Sequence, residues 1–157
     1  MTSPRHTGGM ADDDVLRHLH ATGAALGCPP DPVPEADPWE PADPLDERSA
    51  VVVAFPGPLH PRVHLHDDGE DAVHLDTYVT FDVPRRHTVA VVRALLTGEG
   101  VGTRVPGGIV GVISRRLGLE VVEEVAIDVP GATYTQVVPW VPASPLNGWL
   151  AGLPRRP

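Results

Sequence analysis

Val63, Leu65, Val73, Leu75, Val79, Phe81 and Val83 all fall on odd numbers. A β-strand turns successive side chains to opposite faces, so this alternation predicts strands with one apolar face. It also limits how they can pair. A slip of one residue would turn one apolar set out of the core, so odd residues must pair with odd. A two-residue turn at Asp68-Gly69 would pair odd with even and is excluded, although the dipeptide favours such turns. A three-residue loop at 68–70 keeps the parity. It places Leu65 opposite Val73, His64 opposite His74, Val63 opposite Leu75 and Arg62 opposite Asp76.

The even face of that hairpin then presents Arg62, His64, His66, His74 and Asp76 together. Three imidazoles with Asp76 or Glu70 would suit zinc or another divalent transition metal. The same residues also suit the polar, solvated face of an antiparallel sheet, where Arg62 opposite Asp76 would be an ordinary cross-strand pair. The stretch "HLHDDGE" resembles the first half of the cupin metal motif, His-x-His-x-x-x-Glu, and that resemblance implies His64, His66 and Glu70 as ligands. The second half of that motif needs a further histidine downstream, and no histidine follows His87.

The flanking chain supplies helices and further strands. Asp12 reads as an N-cap, and Val15, Leu16, Leu19, Gly23 and Leu26 recur at helical spacing, predicting a helix over 12–26 closed by Gly27. "SAVVVAF" at 49–55 reads as a strand buried on both faces. At "PRRHTVAVVRALLTG" the period becomes helical, with Val89, Val92, Leu95 and Leu96 inward and Gly98 ending the helix. A short helix within 105–119 should turn Ile109, Val112, Ile113 and Leu117 inward. Residues 119–129 and 133–141 read as two more strands, and "SPLNGWLAGL" as a last helical turn. The prediction is an α+β domain with a mostly antiparallel sheet of about five strands. Helices pack on one face, after an N-terminal helix and a Pro-rich acidic strap. This element order is similar to that of type III secretion chaperones and YbjN-like proteins, and the likeness implies a role in binding other proteins.

Residues 1–9 read as a disordered tail before a single domain at 10–157, with Met10 as an alternative start. Proline forbids regular structure over 28–48. Three hexads, "DPVPEA", "DPWEPA" and "DPLDER", each carry an apolar third residue: Val33, Trp39 and Leu45. A six-residue period stacks these on one face of a polyproline II helix, which has three residues per turn. They are the candidate partner-binding residues, and the alternative is a plain acidic spacer.

Charge is divided unevenly. Residues 1–83 hold 16 Asp/Glu and 4 Arg, a net −12; residues 84–157 hold 5 Asp/Glu and 8 Arg, a net +3, giving −9 for the chain. There is no lysine. An acidic chain repels nucleic acid and anionic membrane, and the acidic first half suits a basic protein partner. Arg85, Arg86 and His87 fall at a helix start, where the macrodipole disfavours cations, so an anion there would relieve them. Cys28 stands alone, which rules out an intrachain disulfide and fits a reducing cytoplasm. There is no apolar signal segment near the start and no run long enough to span a membrane.

No phosphate loop, dinucleotide-binding glycine pattern or nucleophile elbow occurs. The leading expectation is therefore a small cytoplasmic protein-binding module of chaperone, immunity or adaptor kind with no required cofactor. Its rivals are a metal-dependent enzyme using the hairpin histidines and a small-molecule enzyme binding an anionic substrate at Arg85 and Arg86.

Overall fold

The structure, a computed structural model, describes residues 12–32, 51–75, 79–104, 108–117, 122–138 and 152–156. The tail at 1–9 and the strap anchors Val33, Trp39 and Leu45 lie outside the described residues. So do Asp76 and the last helical turn expected around Trp149.

The fold is α+β with an N-terminal helix and two antiparallel sheets. The elements run α1 (Asp12–Ala25), β1 (Val51–Ala54), β2 (Pro61–Leu65), β3 (Glu70–Leu75), β4 (Val79–Pro84) and α2 (Arg85–Thr97). They continue with β5 (Val101–Arg104), α3 (Gly108–Arg116), β6 (Glu124–Val129) and β7 (Ala132–Val137). One sheet has the order β1-β2-β3-β4, the other β5-β6-β7, and β4 lies beside β7. Among the described residues there are seven strands where about five were expected. The run 73–83 is not one strand, because the chain reverses between Leu75 and Val79, which face each other across β3 and β4. β5 was not foreseen. Nor is β1 a central strand buried on both sides. It is the sheet edge, with Val53 buried and Val51, Val52 and Ala54 half-buried.

The odd-with-odd rule holds throughout the first sheet, and Val63, Val73 and Phe81 line up across β2, β3 and β4. The register of the β2–β3 hairpin differs from the expected one by two residues. Val63 faces Val73, His64 faces Ala72 and Arg62 faces His74. The loop is therefore centred on Asp68 rather than Gly69. The reason is the glycine. Gly69 has φ +83, and its N–H bonds the His66 carbonyl at 3.2 Å. In the common three-residue hairpin loop the left-handed residue comes last, which puts Gly69 at the end of the loop instead of its middle.

The odd face of this sheet packs with α1 and α2 into one core. Val15 and Leu19 of α1, and Val91, Val92 and Leu95 of α2, meet Val63, Val73, Leu75 and Phe81 there. α1 comes close because of Gly23. A Cβ at that position would lie 2.6 Å from the Cys28 carbonyl oxygen and 2.9 Å from the Phe55 ring. The second sheet adds Val101, Val125, Ile127 and Val129 to the same cluster, with α2 lying across β6 as well as the first sheet.

Candidate functional site

Asp71 is the one carboxylate on the apolar face of β3, and its residue is only 1% exposed. It is met from α2. Arg85 donates from Nη2 to Asp71 Oδ1 at 2.8 Å and from Nε at 3.2 Å, and the Thr88 hydroxyl donates to Oδ2 at 2.6 Å. Arg85 Nη2 also donates to the His66 carbonyl, and the Arg85 N–H donates to the Gly69 carbonyl at 2.9 Å. The first turn of α2 is thereby tied to the hairpin loop. Burial pushes the Asp71 carboxyl up from its ordinary value, against the hydrogen bonds from Thr88 and the His66 amide, and burial lowers Arg85.

Of the residues expected to bind an anion, Arg85 is thus engaged by a carboxylate of the chain's own acidic half. Arg86 is exposed, and His87 Nδ1 shares a 2.5 Å hydrogen bond with the Tyr134 hydroxyl of β7. Arg85 ties the start of α2 to the hairpin and His87 ties it to β7, while the charge of Arg86 acts on the same Tyr134 hydroxyl that His87 bonds.

The hairpin histidines are partly brought together. His64 and His74 lie diagonally across β2 and β3, with ring centroids 4.6 Å apart and planes at 67°. His74 Nδ1 is 2.9 Å from the Thr80 hydroxyl, and His64 is 3% exposed. His66 sits past the end of β2, where its backbone serves Asp71 and Arg85. Among the described residues, no group of three or more His, Cys, Asp or Glu side chains is disposed to hold a metal ion. With His64 opposite Ala72 rather than His74, the expected Arg62–Asp76 pairing is also replaced, since Arg62 faces His74.

α3 departs most from expectation. Its spacing predicted an inward stripe, yet Ile109 is 78% exposed, Val112 48%, Ile113 52% and Leu117 66%. The apolar face exists as read, but it points to solvent. The cause lies in the elements around it: α1 and α2 already fill the core side of the sheets, and the helix follows β5 on the far edge of the second sheet. Exposed Arg104 and Arg116 flank the stripe. Val137 at the end of β7 is a further large apolar residue left 65% exposed. Single exposed apolar residues are ordinary, but a contiguous stripe on one helix is the usual mark of a contact surface.

Among the described residues no helix is long and apolar enough to cross a membrane. Comparison with protein-family models, with curated proteins and with solved structures finds no match to this chain, so its function has to be read from its own geometry.

Proposed function

We propose that the chain is a small protein-binding module that engages its partner through the exposed stripe of α3. The single observation that carries this is the exposure of Ile109, Val112, Ile113 and Leu117 on one helical face. Residues at i, i+3, i+4 and i+8 are the anchors by which an amphipathic helix lies in an apolar groove. The stripe belongs to the basic half of the chain, with exposed Arg104 before it and exposed Arg116 next to Leu117. The groove that receives it is therefore apolar with an acidic rim. A basic partner, suggested by the acidic first half, would meet another part of the surface. A cytoplasmic setting fits the lone Cys28, and no bound cofactor is needed for this role.

The energy sets a limit. Fully burying one aliphatic side chain is worth about 1.5–3 kcal/mol, so covering four that are half to three-quarters exposed yields roughly 4–7 kcal/mol. Association costs about 4 kcal/mol or more in lost freedom alone. α3 by itself supports at most a weak complex, and a stable one needs contacts beyond the helix.

A photo-crosslinking residue placed at position 113 in cells tests the reading, with a control at exposed Arg93. A discrete protein adduct from 113 and none from 93 is expected, lost when Ile109 and Val112 are changed to Ser. Those two substitutions should leave thermal unfolding within about 1 kcal/mol of the native chain, since both side chains are exposed. Equal labelling at both positions, or none at either, refutes the proposal.

A further inference from the structure

The outer edge of β5 is already covered, by the chain's own C-terminal segment. β5 pairs with β6 on one side. On the other, the Thr103 N–H donates to the Pro154 carbonyl at 2.8 Å, and the Arg156 N–H donates to the Thr103 carbonyl at 2.8 Å. The result is a single parallel bridge, Thr103 to Arg155. Arg156 Nη2 lies 2.8 Å from Asp128 Oδ2 and also donates to the Gly100 carbonyl. Leu153 packs against the core. The backbone of β5 is shaped for this approach. A Cβ on Gly102 would come within 2.8 Å of the Arg156 side chain and 3.0 Å of the Pro154 carbonyl oxygen.

These are the parts of strand addition: edge backbone groups for affinity, with the apolar contact of Leu153 and the charge of Asp128 for specificity. The hold is slight. Among the contacts described are one bridge, the packing of Leu153, the Arg156 bond to the Gly100 carbonyl and an ion pair whose members are 26% and 52% exposed. Segments held by so few contacts open locally while the rest of a fold stays intact. The edge is also well placed. Only residues 105–107 separate β5 from α3, so the start of the exposed stripe at Ile109 lies within about 18 Å of the end of this edge.

We propose that the β5 edge is a recognition site for an extended segment of a partner protein with an apolar residue three positions before an arginine. The chain's own Leu153-Pro154-Arg155-Arg156 fills that site in cis as a tethered competitor. The apolar residue takes the place of Leu153, and the arginine takes the place of Arg156 between Asp128 and the Gly100 carbonyl. Tethering gives the C-terminal segment a high effective concentration, so a free peptide binds the native chain weakly and binds well once the segment is loosened. The proposal goes beyond the α3 reading, because it depends on Asp128 and Gly102 and on none of the stripe residues.

The test uses the full chain and a fluorescent synthetic peptide with the sequence of residues 150–157. Peptide anisotropy is measured on the native chain and on a Leu153→Ala/Arg156→Ala variant. At least tenfold tighter binding to the variant is expected. Adding Asp128→Ala to that variant, or replacing the arginine of the peptide that corresponds to Arg156 by alanine, should remove that gain. Equal affinity for native chain and variant, or indifference to Asp128, overturns the proposal. So does exchange of C-terminal segments between two copies in place of peptide binding. Hydrogen exchange on the native chain needs no variant: the Arg156 and Thr103 amides should open at least tenfold faster than those of β6. Equal protection overturns the cis-competitor reading.

Discussion

Removing the charge of Asp71 is the sharpest test of how α2 is attached to the hairpin. The Asp71 side chain is fully buried, and Arg85 is 7% exposed beside it. Breaking a buried pair by deleting one member costs about 3–5 kcal/mol, because the other charge is left in a low dielectric without its counterpart. Thr88 would also lose the acceptor of its hydroxyl. A chain of this length has a total stability of about 5–15 kcal/mol, so Asp71→Ala should remove a large share of it. At about 2–4 °C per kcal/mol, the thermal midpoint should fall by roughly 6–20 °C. The companion variant decides the cause. Replacing Asp71, Arg85 and Thr88 together by Leu, Met and Val removes the three buried polar side chains of this cluster, and such swaps are often neutral. The triple variant should therefore be more stable than Asp71→Ala, although it carries more changes. Chemical denaturation of the native chain, Asp71→Ala, Arg85→Met and the Asp71→Ala/Arg85→Met double variant gives the coupling energy. A coupling below about 0.5 kcal/mol would show that the pair acts as two independent residues, and the account given for the start of α2 would fail.

Two further outcomes can be measured. Gly23→Ala should destabilise by about 1–2 kcal/mol, because overpacking against the Cys28 carbonyl and Phe55 outweighs the roughly 1 kcal/mol gained in helix propensity; an unchanged denaturation midpoint would contradict this. The Thr133 hydroxyl and Arg156 hold the Asp128 carboxyl below its ordinary value, so the contact they make is present above the usual carboxylate range. It is lost as the pH falls through that depressed value. Protection of the Thr103 and Arg156 amides, corrected for intrinsic exchange, should therefore drop on acidification below about pH 4 and with added salt, and pH-independent protection would refute it.

The parity of the apolar residues made the first sheet legible, and it explains what was missed there. An alternation fixes which face a residue takes but says nothing about where a strand ends. The reversal between Leu75 and Val79 preserves parity, since both are odd, and "LDTYV" contains no Gly or Pro to mark it. β5 was invisible for the opposite reason. "VGTR" has a single large apolar residue, and it becomes a strand because β6 pairs with one edge and the C-terminal segment covers the other. Asp71 could have been found. It holds an odd position beside Val73 and Leu75, and a carboxylate on that apolar face calls for hydrogen-bond donors or a cation in the core. The cations at the start of α2 call for an anion, but which group meets Arg85 depends on where α2 lands, a tertiary fact.

The stripe of α3 shows where periodicity stops being informative. Helical spacing of Ile109, Val112, Ile113 and Leu117 states that one face is apolar, and burial was inferred because apolar faces are usually covered. Covering is a property of the neighbours. Here the odd face of the first sheet is filled by α1 and α2, and β6 takes its share of α2. Among the described residues, no side chain of α3 belongs to the core cluster. Natural sequences seldom keep four large apolar residues at helical spacing on a solvent face without a use, since such a patch favours aggregation. The glycines at 108 and 111 bear on the same point. Gly108 has φ +67, and glycine in a short helix lowers its intrinsic stability, so α3 gains order when its apolar face is covered. Covering the stripe should therefore raise the helicity of residues 108–116 as well as bury them. Backbone chemical shifts of this segment, with and without a crosslinked partner, would show the change. Shifts already fully helical in the free chain would mean that the partner meets a preformed surface.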